Sequence, residues 1–175
     1  MKRTFLKFAA AAAVLAVVSA CGGSDDDDND TPAQPGNVVA VASANPDFSA
    51  LVAAVTTAEL VTALSDSAAT LTVFAPTNAA FTALAVQLGF ADAAAMVTAL
   101  TKEQLTTVLT YHVLATKVAS TAIPFGTPVA TLNTADTITI TAGTPPVIAT
   151  IADTTTTPAT ISAVDVQASN GVIHV

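Results

Sequence analysis

The change of texture near residue 116 constrains this chain more than any other feature. Before it, apolar residues recur at helical spacing; after it, Thr, Val and Ile dominate short runs punctuated by Pro and Gly. In the first half, Asn45-Pro46-Asp47 reads as a turn or cap, followed by Phe48, Leu51, Val52 and Val55 on one helix face. Thr56 and Glu59 have capping-box spacing, which predicts a second helix carrying Leu60, Val61 and Leu64 and ending at Ser65-Asp66-Ser67. Leu71 to Ala75 is short, apolar and stopped by Pro76, as a buried strand is. Thr77 or Asn78 then caps a helix with Phe81 and Leu84, and another covers about 91–100. Thr101 and Gln104 repeat the capping-box spacing ahead of Leu105, Val108 and Leu109, in a helix that ends near Tyr111 to Leu114. In the second half, strands are expected at 128–132, 137–141, 147–151, 159–166 and 171–175, with a polar hairpin tip at Thr154 to Thr157. Helices gathered in one half and strands in the other predict an α+β fold rather than a doubly wound parallel sheet.

The N-terminus sets the compartment. Lys2, Arg3 and Lys7 precede an uncharged run from Phe8 to Val18. That run is shorter than the roughly 20 apolar residues that span a bilayer, and it suits the core of a secretory signal. Val18-Ser19-Ala20-Cys21 resembles the lipobox of bacterial lipoproteins, which implies cleavage before Cys21, a diacylated thiol and a membrane-held N-terminus. Cys21 is the single cysteine of the chain, so it has no disulfide partner within it. Gly22 to Asn37 holds five Asp and no apolar periodicity, and reads as a disordered spacer in which like charges repel. Its Asp25 to Asp28 run lacks the Gly turn and distal Glu of a calcium loop. The expected division is therefore 1–20 signal peptide, 21–37 lipidated cysteine and acidic linker, and 38–175 one domain.

Charge is meaningful only once the signal is set aside. Lys102 and Lys117 then face thirteen acids, a net charge near −11. Nucleic-acid binding needs clustered Lys and Arg, so it is excluded as a partner class. Attachment to anionic lipid through the protein surface is disfavoured on the same ground, which leaves membrane contact to the acyl group.

Three segments in order resemble the fasciclin domain family: Thr72-Val73-Phe74-Ala75-Pro76-Thr77-Asn78-Ala79-Ala80-Phe81, Tyr111-His112-Val113-Leu114, and Asn170-Gly171-Val172-Ile173-His174-Val175. Taken alone, the first is a buried strand halted by Pro76, with a capping oxygen from Asn78 for the next helix and Phe81 packing back on the strand. The third is an Asn-Gly turn tolerant of positive φ feeding a strand. The resemblance implies a fasciclin-like fold, with a helical N-terminal half on a β-wedge or sandwich built mainly from the C-terminal half. It also implies extracellular adhesion to proteins, matrix or surface glycans. Phe74, Pro76, Thr77, Asn78, Phe81, Asn170, Gly171 and His174 match the family's structural motifs. Tyr111 and His112 match a neighbourhood tied to receptor contact in animal members, and are the candidate interaction site; burial in the core is the alternative for that pair. Family members continue past the His174-Val175 region with an acidic residue and a last apolar strand, so the domain ending at Val175 is expected to lack that strand and to expose an edge.

An enzyme is not expected. His112 and His174 stand far apart, and no zinc spacing, nucleophile elbow, P-loop or dinucleotide fingerprint is present, so no catalytic, metal or cofactor residues are assigned. Asp165 and His174 have no recognisable Ser beside them in the sequence. The alternative to adhesion is an extracytoplasmic binder of a small lipid or glycan, which a deep apolar pocket would favour. The absence of Trp argues against sugar stacking.

Overall fold

A computed structural model of the chain describes residues 34–143, 149–152 and 159–175. The signal, Cys21, most of the acidic linker, Val147 and the Thr154 to Thr157 tip lie outside the described residues. Residues 33–175 form one compact unit.

Caps decide where most helices begin. Asn37 accepts from the amide of Ala40 to start α1 (Val38–Ser43), and Asn45 accepts from Asp47 to start a 3-10 turn at Pro46–Phe48. α2 (Ser49–Thr57) follows directly, and α3 (Val61–Leu64) is a single turn. Thr77 caps α4 (Asn78–Gln87) and Asp92 caps α5 (Ala93–Ala99). α6 (Lys102–Tyr111) opens with a complete capping box: the Gln104 amide donates to Thr101 Oγ1 at 3.3 Å, and the Thr101 amide donates to Gln104 Oε1 at 2.9 Å. α2 packs on α4, α5 and α6, and the small side chains of Ala54 and Ala85 are wholly buried where helix backbones approach.

The strands are β1 (Leu71–Phe74), β2 (Val113–Leu114), β3 (Pro128–Ala130), β4 (Thr137–Ala142), β5 (Ala149–Ala152), β6 (Ala159–Ile161), β7 (Val166–Ala168) and β8 (Gly171–His174). They make two four-stranded sheets. The first runs β2-β1-β8-β7, with β1 parallel to β8 (Leu71 opposite Gly171, Phe74 opposite His174) and antiparallel pairs on either side. The second is an antiparallel meander, β3-β4-β5-β6.

The first sheet is sandwiched. Leu71, Val73, Val113, Ala168 and Ile173 join the helical core. From the same sheet, Phe74 and Leu114 instead pack with Ile123, Ile138, Ile140 and Ile161 in a second core against the meander. Side chains alternate along a strand, so β1 serves both cores, while β8 sends Ile173 to the helical core and sets His174 against Phe74 of the second; every residue of both strands is buried. The meander is covered on one face only. Ile138 and Ile140 point inward from β4, while Thr137, Thr139 and Thr141 alternate with them; Thr141 lies opposite Thr150, which lies opposite Thr160.

The α+β expectation holds, with corrections to individual elements. Thr56 and Glu59 do not open a helix. Thr56 closes α2, its hydroxyl donating to Val52 O at 2.8 Å, and Glu59 sits at φ 57 just beyond the helix end. The single strand expected over 159–166 is two strands in different sheets, with the chain turning between them at Asp165, whose φ is 60. α1 was not expected as a helix. β8 lies in the middle of its sheet, and Val175 pairs with the connection between β6 and β7: its amide donates to Ala163 O, and its carbonyl accepts from Ser162 N.

Candidate interaction site

The three motif segments converge on the parallel pair. The amide of Phe74 donates to His112 O at 2.9 Å and that of Ala75 to His174 O at 2.7 Å, so the end of α6, the end of β1 and the end of β8 meet. The rings of Phe74 and His174 lie 5.5 Å apart.

Most motif residues here build architecture. Asn170 is buried and fully engaged: its Oδ1 accepts from Val38 N at 2.9 Å, and its Nδ2 donates to Leu64 O and Asp66 O. One side chain thus ties α1 and the end of α3 to the hairpin before β8. Asn78 does similar work in an unexpected place. Its carboxamide oxygen does serve a helix start, but that of α2, accepting from Ala50 N at 2.9 Å while Nδ2 donates to Pro46 O and Ser49 Oγ. α4 is capped by Thr77 instead, whose Oγ1 accepts from Ala80 N. Phe81 is buried among the helices, and Pro76 follows β1 half-buried.

Gly171 has a different reason from the one its sequence suggested. Neither it nor Asn170 adopts positive φ. A Cβ on Gly171 would lie 2.3 Å from Leu71 O, so glycine is required because β1 runs against it.

His174 is almost wholly buried, at 1% exposure. Its Nε2 lies 2.9 Å from Val118 O, and its Nδ1 accepts from the amide of Asp165 at 3.3 Å. These partners select the tautomer with the proton on Nε2. Ser120, which the sequence reading did not connect to this place, sits against Asp165: its amide donates to Oδ1 at 2.8 Å and its hydroxyl to Oδ2. Those bonds to Ser120, first from its hydroxyl and then from its amide, hold the Asp165 carboxyl below the usual aspartate range. Ser, Asp and His are thus neighbours, but in an order unsuited to nucleophilic attack. The serine bonds to the carboxylate itself, and both histidine nitrogens are taken by backbone. Forty-five residues separate Ser120 from Asp165, and no local pattern announces the contact.

Tyr111 and His112 are each half-buried at the end of α6, their rings edge-to-face at 5.6 Å. His112 Nδ1 lies 2.7 Å from Val108 O, which orients the ring at the helix end. The pair forms one wall of a cleft of about 260 Å³ between the two sheets. Phe74, Ile138, Ile151 and Ile161 give it an apolar base, and Thr77, Thr160 and Ser162 lie at its sides. The isoleucines are not among the residues singled out in the sequence; the Thr-Ile alternation over Thr137 to Thr141 is the one local signal that points to Ile138. A second apolar groove, of about 330 Å³, runs between α4 and α6 beside Leu84, Leu88 and Val108. Among the described residues there is no group of His, Cys, Asp and Glu able to hold a metal ion. No helix among them is long and apolar enough to cross a membrane.

The fasciclin domain model matches residues 46–175, from the 3-10 turn to the end of the chain. This chain belongs to the fasciclin family. Among curated proteins it is similar to protein sll1483 of Synechocystis sp., with 38% identity over 138 residues covering 79% of this chain and 69% of that one. It is also similar to the uncharacterized protein sll1735 of the same organism, with 36% identity over 141 residues covering 79% of this chain and 92% of that one. Among solved structures it matches a FAS1 domain pair from the insect cell adhesion molecule Fasciclin I, with a TM-score of 0.65 and 14% identity, over 81% of this chain and 49% of that one. The chain thus spans about half of that pair, and the likeness establishes the fold. Fasciclin domains generally serve as non-catalytic adhesion or binding modules, typically outside the cell or on its surface.

Proposed function

We propose that this protein is a surface-anchored lipoprotein whose fasciclin domain binds extracellular protein, matrix or surface glycan, without catalysis. The observation that carries the reading is a single linear arrangement: a fasciclin domain over 46–175 placed behind a signal-like leader, a lone cysteine in a lipobox setting and an acidic spacer. The domain is held in the cell envelope by acyl chains on Cys21, facing the periplasm or the outer surface. Tyr111 and His112 are the contact residues we assign. They are half-buried rather than sealed in the core, and α6 and β1 hold them against the cleft. The engagement of both His174 nitrogens by backbone supports a binding role over an enzymatic one.

The anchor is tested by expressing the chain beside a Cys21→Ala variant in a bacterium, then following intact mass and membrane fractionation. Wild type is expected to gain a diacylglycerol mass at Cys21 and to sediment with membranes, while the variant gains none. Equal, unmodified and soluble behaviour of the two would refute the anchor and leave a freely secreted binding domain.

A further inference from the structure

α4 carries apolar side chains that the folding of the domain does not use. Only Phe81 and Ala85 of this helix are buried, in the helical core beside α2 and α5. Leu84, Val86 and Leu88 at its end are 36%, 63% and 55% exposed, and Val108 of α6, at 38%, joins Leu84 and Leu88 along the groove between the two helices. These are four of the eight large apolar side chains exposed among the described residues. Ala79, Ala80 and Ala83 are exposed on the same helix. A surface helix ordinarily turns charged residues outward. α4 has none, and it lies in the longest uncharged run of the chain, Ser67 to Ala91. Its end is held rather than frayed: the amide of Leu88 donates to Leu84 O at 3.0 Å, and that of Phe90 to Ala85 O at 2.8 Å across Gly89, whose φ is 83. A fixed, contiguous apolar surface of this kind marks a contact.

The length of chain ahead of the domain, and where it ends, point to the occupant. Sixteen residues, Gly22 to Asn37, join Cys21 to α1. A flexible chain of sixteen residues averages about 20–25 Å end to end, and a compact domain of this size has a radius of gyration of about 14 Å. With Cys21 held at a bilayer, the domain therefore stays within about its own width of the lipid. Its effective concentration there is about millimolar, at which even a weak contact is populated. Faces bearing carboxylates lose hydration at lipid without compensation, whereas apolar side chains gain by leaving water. We propose that the exposed end of α4, with Val108 beside it, rests on the bilayer that holds the Cys21 anchor, Val86 and Leu88 entering the boundary between headgroups and acyl chains. This rests on the lipid-anchor reading and adds to it an orientation of the domain.

The chain has no tryptophan, so one placed at Gln87, exposed between Val86 and Leu88, reports alone. The mature chain would be coupled through its Cys21 thiol to a maleimide-bearing lipid in phosphatidylcholine nanodiscs, which supplies the tether whether or not cells acylate it. Quenching by brominated phosphatidylcholine is then read for Gln87→Trp and, on the outer face of the meander, for Thr137→Trp. The Gln87→Trp emission is expected to be blue-shifted and quenched, and the Thr137→Trp emission to be neither. Adding Val86→Glu and Leu88→Glu to the Gln87→Trp chain should abolish both signals, with circular dichroism reporting whether the fold persists. Should the glutamates unfold it, the comparison of the two tryptophan positions still decides. Equal quenching at the two positions, or none at position 87, overturns the proposal. So does a blue shift of Gln87→Trp that grows with protein concentration in the absence of lipid, because a second copy would then cover α4. Failure of the anchor reading shows separately, as an unacylated mass in the Cys21→Ala comparison.

Discussion

Among the described residues the two sheets have four strands each, and they are built under opposite conditions. The β2-β1-β8-β7 sheet is covered on both faces, by helices on one side and by the meander on the other. The β3-β4-β5-β6 meander is covered on one. In the first, each position must satisfy two neighbourhoods at once. Glycine at 171 is dictated by a carbonyl 2.3 Å from where its Cβ would stand. Thr72, with no exposure, donates to Thr116 O and accepts from Val118 N. Asn170 serves three backbone groups. In the second, an inward Ile and an outward Thr suffice, and many other β-formers would serve as well. Two-sided burial therefore writes a specific signature, and one-sided burial writes only a period.

This difference can be broken by substitution. The largest effect belongs to Gly171→Ala, which forces a methyl into the Leu71 carbonyl and must part β1 from β8; a loss of about 3 kcal/mol or more is expected in urea unfolding. Asn170→Ala comes next. It strands the buried Val38 amide and removes a donor from Leu64 O and Asp66 O, at a cost of about 2 kcal/mol by the same measurement. In the meander, Ile140→Val should cost about 1 kcal/mol even though Ile140 is fully buried, because only one methylene goes. The exposed Thr137→Ala should stay within about 0.5 kcal/mol.

The smallest effect is one of pH. Hydrogen bonds from Ser120 lower the Asp165 pKa in the fold, so the folded state holds that proton less tightly than the unfolded chain does. The resulting stability is complete above the usual aspartate value of 3.8 and is lost as pH falls through the lower folded value. Ser120→Ala should therefore differ from wild type in urea midpoint at about pH 5, with the gap narrowing toward about pH 2. A gap independent of pH would show that the pair acts through packing alone.

The same contrast explains what could be read in advance. The α+β division, the Thr101–Gln104 cap and the strand at 137–141 are local patterns, and they appear where their residue types promise. Asn78 and Gly171 were singled out for sound reasons that proved to be the wrong ones. An amide oxygen reaching back 28 residues to α2, and a carbonyl pressing on a glycine from a strand 100 positions earlier, exist only once the chain is folded. The Thr56–Glu59 spacing misled because the same residue types also end helices. The Ser120–Asp165 contact and the cleft base, where Phe74 meets Ile151 and Ile161, join residues distant in sequence, so no window along the chain contains them. The candidate pair Tyr111–His112 was visible only through the family motif; its place on a cleft wall follows from how α6 runs into β2.

The account turns on the parallel pair of β1 and β8 being the framework between the two cores. Native-state hydrogen exchange across increasing denaturant measures this directly, amide by amide. The ladder amides of Leu71–Phe74 and Gly171–His174 should exchange only through global unfolding, while those of β3 and β6 open at lower free energy. If the meander amides matched or outlasted those of β1 and β8, the doubly covered sheet would not be the framework of this fold.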